Sequence, residues 1–122
     1  MRRILVVDDD TVIGKVFEVL LQRADFEVDF AEDGLKGVEM WEQGNYDLVL
    51  MDVQMPRMDG FEATRAIREK EKMRGGHTPI VAITAYALEK DEKQCLAAGM
   101  DAYISKPMDF KKLFETIRGL IG

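Results

Sequence analysis

The chain has 122 residues, of which 47% are hydrophobic and 33% are charged, and its formal net charge is −6 at pH 7. This length and composition predict one globular domain with its own core. The negative charge argues against direct nucleic-acid binding, because clustered Lys and Arg hold phosphate backbones. Cys95 is the only cysteine, which excludes an internal disulfide and is typical of a reducing compartment. Without a signal peptide or a membrane-length apolar run, we expect a cytoplasmic protein that makes no membrane contact.

Strand and helix patterns alternate five times along the chain. Strands are predicted at 3–7, 27–31, 46–52, 80–83 and 101–105. Helices are predicted at 11–23, 34–41, 61–72 and 88–97, and a final helix follows Asp109. This alternation is typical of an α/β fold: a doubly wound, five-stranded parallel sheet in the order 2-1-3-4-5, with five helices in a flavodoxin-like three-layer sandwich. We expect residues 1–122 to form a single domain.

The first helix carries its apolar residues at helical spacing. The predicted buried face comprises Val12, Val16, Val19, Leu20 and Arg23, widened by Ile13 and Phe17. Residues 70–77 (KEKMRGGH) are predicted to be a solvated connection between the third helix and the fourth strand.

Polar residues follow four of the predicted strands. Asp8, Asp9 and Asp10 come after the first, Asp52 ends the third, Thr84 follows the fourth, and Lys106 and Pro107 follow the fifth. In open α/β sheets ligands bind outside the carboxyl ends of the strands, so these groups are expected to converge. Crowded carboxylates favour a bound cation, and all-oxygen ligands suit Mg²⁺, with Mn²⁺ as an alternative. The sequence therefore predicts a metal and phosphoryl site.

Each of these residues also has an ordinary structural interpretation. Aspartates of the first run can cap a helix, which we expect of Asp10, and Asp52 can form a turn. Thr84 can be a β-branched strand residue, Lys106 a surface lysine and Tyr103 a core residue. A carboxylate beside Mg²⁺ can instead attack phosphorus and form an acyl phosphate, and the combination of these residues favours that interpretation.

These motifs resemble the receiver domain of two-component response regulators. The resemblance covers the whole chain through residues 4–10 (ILVVDDD), 51–60 (MDVQMPRMDG), 81–85 (VAITA) and 105–107 (SKP). The stretches 51–68 and 97–107 are especially similar to receivers attached to hybrid sensor histidine kinases. The resemblance implies a phosphorelay switch rather than a turnover enzyme, with a sensor histidine kinase or a histidine phosphotransfer protein as partner. We also expect from it a homodimer that forms on phosphorylation. The downstream effector is left unknown.

The resemblance assigns a role to each motif residue. Asp52 is implied as the phosphoacceptor, with Mg²⁺ held by Asp9, Asp52 and the Gln54 backbone carbonyl, and by Asp8 through a water. Lys106 and Thr84 are implied to bind the phosphoryl oxygens, and Tyr103 to follow Thr84 inward, which alters the face of the fourth helix, fifth strand and fifth helix.

The neighbouring positions have supporting roles in this scheme. Gln54 and Tyr86 are implied to tune the lifetime of the phosphoryl group, and Ala85 is small enough to allow access to the site. Gly60 serves turn formation, and Pro107 favours a cis bond that fixes the direction of the preceding lysine.

Three alternatives remain at this point. Residues 7–12 (VDDDTV) also fit the opening D-x-D-x-V motif of haloacid-dehalogenase-type phosphatases, with Asp8 as nucleophile, although the chain ends 16 residues after Lys106, before that family's later acidic motif. A flavodoxin-like cofactor binder would need a Gly- or Ser/Thr-rich phosphate loop, and here three carboxylates stand in its place. The receiver is expected to be either a stand-alone regulator or a domain of a larger protein.

Overall fold

The computed structural model describes residues 2–84, 89–105 and 109–121. The strands are β1 (Arg3–Val7), β2 (Glu27–Ala31), β3 (Leu48–Asp52), β4 (Ile80–Thr84) and β5 (Ala102–Ser105). The helices are α1 (Thr11–Arg23), α2 (Gly34–Gln43), α3 (Gly60–Arg74), α4 (Glu89–Ala98) and α5 (Phe110–Ile121). All strand pairs are parallel and their order is β2-β1-β3-β4-β5, which confirms the predicted α/β architecture.

The sheet lies between two apolar layers. Its three central strands, β1, β3 and β4, are almost entirely buried, because helices cover both faces of a parallel sheet. One layer packs side chains of α1 and α5, such as Phe17 and Leu113, onto the sheet. The opposite layer packs side chains of α2, α3 and α4, such as Trp41, Ile67 and Cys95. The strand ends that carry the polar residues therefore emerge at one edge of a rigid sandwich.

The predicted buried face of α1 is wrong in part: Phe17 is buried as predicted and Ile13 packs against the core, but the three valines are exposed. Gly14, Phe17 and Leu21 are the buried residues of this helix, whereas Val12, Val16 and Val19 are 71%, 45% and 42% exposed. The larger side chains Phe17 and Leu21 face the sheet, and a Cβ at Gly14 would lie 2.1 Å from the Phe30 ring, so Gly14 lets that ring pack directly against the helix. The valines consequently form an exposed apolar stripe on the other side of α1.

The predicted solvated connection at 70–77 is also wrong in part. Helix α3 continues to Arg74, and Glu71 is only 7% exposed. The Glu71 carboxylate accepts hydrogen bonds from Arg68 Nη1 (2.7 Å) and from the Thr78 backbone N–H (2.6 Å). The charged segment looked solvated because the local sequence does not show that the Glu71 carboxylate is buried against Arg68 and Thr78.

Aspartate side chains cap the N-termini of four helices. Asp10 accepts from Val12 N and Ile13 N, Asp33 from Lys36 N, and Asp109 from Lys111 N and Lys112 N. Asp59 and Glu62 form a reciprocal capping box at the start of α3. Among the described residues, no helix is long and apolar enough to span a membrane.

Candidate functional site

Three carboxylates meet where β1 and β3 end. These strands are neighbours in register, with Val7 opposite Met51, so the residues that follow, Asp8 and Asp52, emerge side by side. One carboxylate oxygen from each of Asp8, Asp9 and Asp52 lies within 4.8 Å of the others. The structure thus brings together the three side chains that the sequence predicted to be metal ligands.

The three carboxylates differ in burial and in local bonding. Asp8 is fully buried, and its Oδ1 accepts a hydrogen bond from the Asp10 backbone N–H at 2.9 Å. Asp52 is 4% exposed, and its Oδ1 accepts from the Gln54 backbone N–H at 3.2 Å. Asp9 is exposed at the rim. Asp10 caps α1 as predicted, so the run divides into site residues and a helix cap.

The donor set fits a small hard cation. Carboxylate oxygens are the ligands that Mg²⁺ prefers, and the ion usually keeps several waters as well. Three anionic groups this close, two of them buried, repel one another unless a cation neutralises them. Asp8, Asp9 and Asp52 are therefore the residues that could hold Mg²⁺ here.

An open cleft of about 540 Å³ lies beside these carboxylates. The residues that line it are Asp9, Val53, Gln54, Met55, Pro56, Asp59, Phe61, Thr84 and Gln94. Thr84 ends β4 and is 2% exposed, and the preceding Ile83 stands opposite Asp52 in the sheet. A hydroxyl, a buried carboxylate and an opening wide enough for a phosphoryl group therefore occur at one edge of the sheet.

Gly60 holds α3 against the backbone of Asp52. Its N–H donates to the Val53 carbonyl at 2.9 Å. A Cβ at this position would lie 2.4 Å from the Asp52 carbonyl oxygen and 2.9 Å from Val53 Cα. Only a residue without a side chain allows this approach of α3 to the end of β3.

Of the remaining predicted site residues, the structure describes Tyr103. Tyr103 is partly buried on β5 and lines a separate cavity of about 340 Å³, together with Cys95, Leu96 and Lys112. Ala85, Tyr86, Lys106 and Pro107, which were predicted to act at the site, lie outside the described residues.

Sequence reasoning missed several side chains of the cleft, among them Phe61 and Gln94. Phe61 was predicted only as the first residue of its helix, although its place directly after Gly60 at the start of α3 is a usable signal. Gln94 lies on α4 and carries no motif, so nothing in the sequence alone could have identified it.

The fold and this acidic cleft define a doubly wound α/β domain with its ligand site at the carboxyl ends of its strands. Residues 4–118 match the family model for the response regulator receiver domain. The chain belongs to this family, whose members are switches of two-component phosphorelays rather than dedicated enzymes.

Two curated relatives illustrate the range of the family. The chain is 40% identical over 121 residues to hybrid signal transduction histidine kinase I of Dictyostelium discoideum, covering 95% of this chain but 7% of that protein. It is 32% identical over 121 residues to the polar-differentiation response regulator DivK of Brucella ovis, covering 99% of this chain and 97% of DivK. The chain spans only 6% to 12% of the length of the hybrid and plant histidine kinases that it matches.

Solved structures show the same similarity. The receiver domain of the Pseudomonas aeruginosa sensor histidine kinase PA1611 superposes with a TM-score of 0.89 at 39% identity, covering 99% of this chain and 98% of that one. That structure has a magnesium ion coordinated in its active-site cleft. The receiver domain of Saccharomyces cerevisiae Ssk1, solved in complex with the histidine phosphotransfer protein Ypd1, gives a TM-score of 0.92 at 27% identity, covering 98% and 88%.

Proposed function

We propose that this domain accepts a phosphoryl group from a phosphohistidine of a partner protein onto Asp52, with Mg²⁺ as cofactor, and that the modified domain then controls a downstream partner. The observation that carries the proposal is Asp52 itself: a buried carboxylate at a strand end, within 4.8 Å of two further carboxylates and beside an open cleft. The proposal treats residues 1–122 as one receiver domain. The cytoplasmic location stays a prediction.

The transfer is a single displacement at phosphorus. An oxygen of Asp52 attacks the phosphorus atom, the bond from phosphorus to the imidazole nitrogen breaks, and its electron pair returns to that nitrogen. Asp52 then carries an acyl phosphate. When bound, Mg²⁺ supplies positive charge against the phosphoryl oxygens, and Asp8, Asp9, Asp52 and the Gln54 carbonyl would hold it. In-line positioning and charge neutralisation are what phosphoryl transfer requires of a protein.

The remaining predicted residues act on the phosphoryl group or on its signal. The Thr84 hydroxyl donates to a phosphoryl oxygen, and the Lys106 ammonium neutralises charge. Tyr103 then follows Thr84, which reshapes the surface of α4, β5 and α5. Gln54 and Tyr86 set how fast water removes the phosphoryl group, while Ala85 leaves room for it. A few charge-assisted hydrogen bonds, each worth about 1.5–3 kcal/mol, suffice to bias such a switch.

We further propose that the exposed stripe of α1 receives the partner helix that bears the phosphohistidine. The stripe comprises Val12, Val16 and Val19, which lie along an open groove of about 840 Å³. Helix α1 begins directly after Asp9 and Asp10, and the three valines extend about 10 Å from that point. An apolar helix lying along the stripe would bring a histidine to the rim of the cleft.

Intact mass spectrometry after treatment with phosphoramidate tests the acceptor, because this small donor transfers phosphorus from nitrogen as phosphohistidine does. The wild type is expected to gain one phosphoryl group in Mg²⁺ and none in chelator, and Asp52→Asn is expected to gain none. An adduct that persists in Asp52→Asn and disappears in Asp8→Asn would move the nucleophile to Asp8, as in the haloacid-dehalogenase alternative.

A comparison of two donors tests the docking surface. Val16→Asp should slow transfer from phosphorylated Ypd1 by about tenfold, the loss of roughly 1.4 kcal/mol at an interface. Transfer from phosphoramidate, which needs no docking, should keep its wild-type rate. Gln22→Asp places the same charge on an exposed position of α1 outside the stripe and serves as control. Equal rates for Val16→Asp and Gln22→Asp with Ypd1 would refute the assignment.

Whether this receiver acts alone or within a larger protein depends on sequence outside this domain. A stand-alone regulator and a receiver of a hybrid kinase would share this chemistry. Phosphorylation-dependent dimerisation remains a prediction, which sedimentation of the phosphorylated and unmodified domain would check.

A further inference from the structure

A partly buried ionic cluster lies at the end of the sheet opposite the carboxylate cleft. Its centre is the Arg68 guanidinium, whose side chain is only 16% exposed. Nε donates to the Gly99 carbonyl at 2.9 Å, and Nη1 donates to Glu71 Oε1 at 2.7 Å and to the Thr78 carbonyl at 2.8 Å. Nη2 donates to Asp101 Oδ2 at 2.8 Å. One side chain thus ties together the end of α3, the loop before β4 and the turn before β5.

Asp101 extends these bonds to the first residue of β4. Its Oδ2 also accepts from the Ile80 backbone N–H at 2.8 Å, while its own backbone N–H donates to the Ile80 carbonyl at 2.8 Å. Its Oδ1 lies 2.7 Å from His77 Nε2. The two strands are therefore fastened to each other at their starting ends. We call Arg68, Glu71 and Asp101 the Arg68 clasp.

The turn between α4 and β5 is shaped to reach the clasp. Gly99 has a φ of +102°, which L side chains rarely adopt. A Cβ there would lie 3.0 Å from Arg68 Cγ. Glycine thus allows both the backbone conformation and the close approach of the turn to Arg68.

The clasp acts on the register of β4 and β5. β5 has four residues and is an edge strand that pairs on one side only, so its own ladder constrains it weakly. In that register Thr84 stands opposite Ser105, and Lys106 is the next residue in the sequence. The start of β4 and Thr84 are separated by about 13 Å of strand. A fixed start therefore sets the relative position of the two strand ends.

We propose that Arg68 and Asp101 are positioning residues, which set the placement of Thr84, a proposed phosphoryl-binding residue, relative to Ser105 at the end of β5, by fastening the far ends of β4 and β5. The inference rests on the proposed function, because only that function gives Thr84 a phosphoryl group to bind. The carboxylates that would hold Mg²⁺ belong to β1 and β3, to which the clasp makes none of the hydrogen bonds described above. Phosphoryl binding and Mg²⁺ binding should consequently respond differently to loss of the clasp.

Isothermal titration calorimetry separates the two effects. Mg²⁺ is titrated first, and trifluoroberyllate, which stands in for the phosphoryl group, is titrated next in saturating Mg²⁺. In Arg68→Ala the Kd for trifluoroberyllate should rise about tenfold, less than the roughly 100-fold that a misplacement of about 1 Å can cause. The Kd for Mg²⁺ should stay within about twofold of the wild-type value, because the carboxylates of Asp8, Asp9 and Asp52, which would bind the ion, are unchanged. Arg68→Lys should recover only part of the loss, because an ammonium cannot serve the same set of acceptors.

Two further variants keep the test decisive. Asp101→Asn retains a side-chain oxygen but loses the charge that Arg68 binds, so it too should bind trifluoroberyllate more weakly and Mg²⁺ as the wild type does. It replaces Arg68→Ala in the test if that variant does not fold. Arg3→Ala is the control, because Arg3 also pairs with carboxylates (Glu27 and Asp29) at the starting ends of strands, but on β1 and β2. It should leave trifluoroberyllate binding unchanged.

The outcomes distinguish the inference from the function on which it rests. If Arg68→Ala and Asp101→Asn bind trifluoroberyllate with the wild-type Kd, the inference is overturned and the proposed function is not. Equal losses of Mg²⁺ and trifluoroberyllate affinity would reduce the clasp to a general stabilising element. A wild-type protein that does not bind trifluoroberyllate in Mg²⁺ would overturn the proposed function, and the inference with it.

Discussion

Replacement of Gly60 by alanine should damage the site through the backbone of Asp52. The new Cβ would lie 2.4 Å from the Asp52 carbonyl oxygen, about 1 Å closer than ordinary van der Waals contact permits. The nearest atoms are backbone atoms of Asp52 and Val53, so no flexible side chain can move away. Either the start of α3 or the end of β3 must shift, and the second shift displaces the Asp52 carboxylate.

The free energy follows from two opposing effects. Overpacking of this kind costs about 1–3 kcal/mol. Alanine regains at most about 1 kcal/mol over glycine, and less at the first residue of a helix. We expect Gly60→Ala to lower the free energy of unfolding by about 1–2 kcal/mol. A displacement approaching 1 Å should also slow phosphorylation of Asp52 by at least about tenfold.

Gly119→Ala is the matched control. Gly119 lies in α5, and a Cβ there would meet nothing within 4 Å. This substitution should raise stability by about 0.5–1 kcal/mol and leave phosphorylation unchanged. Urea unfolding followed by Trp41 fluorescence gives the stability, and intact mass against time in acetyl phosphate gives the rate. A Gly60→Ala protein as stable and as rapidly phosphorylated as Gly119→Ala would refute the reasoning.

Three further predictions test the packing, the capping and the electrostatics. Leu21→Ala should lower the free energy of unfolding, measured with urea, by about 2–5 kcal/mol, because Leu21 is fully buried. Val19→Ala should change it by no more than about 0.5 kcal/mol, because Val19 is exposed. Similar losses in the two variants would mean that a different face of α1 packs on the sheet. Asp109→Ala should cost about 1 kcal/mol by removing the cap of α5, and Asp109→Asn should retain most of that stability. Burial, and then the hydrogen bond to Asp29, raise the pKa of Tyr46 from 10.0 to about 12, so its contribution to stability is complete below about pH 10 and is lost as the pH rises toward 12. In Tyr46→Phe the free energy of unfolding should therefore fall less steeply with pH between about pH 10 and 12. An unchanged slope would contradict the assignment of this loss to Tyr46.

The sequence predicted the fold well because its main signals are local. Continuous apolar runs identified β1, β3 and β4, and an aspartate marked the start of most helices. The carboxylate cluster was equally predictable, since parallel strands bring their carboxyl ends to one edge. Asp8, Asp9 and Asp52 meet there as expected.

The errors arose where tertiary contacts override local patterns. Helix α1 is apolar on two sides, and periodicity alone could not tell which side faces the sheet; Phe17 and the space left by Gly14 decide it. The charges of residues 70–77 looked solvated because Asp101, which binds both Arg68 and His77, is distant in the sequence. Gln94 reaches the cleft only through the packing of α4.

The most direct test of the account is a single-turnover transfer experiment. Ypd1 carrying a radiolabelled phosphohistidine is mixed with an excess of this domain, and both proteins are followed over time with and without Mg²⁺. Label is expected to leave Ypd1 and to appear on the domain only in Mg²⁺, and Asp52→Asn should abolish its appearance. Transfer to Asp52→Asn at the wild-type rate, or label that stays on Ypd1 in the presence of the wild-type domain and Mg²⁺, would contradict it.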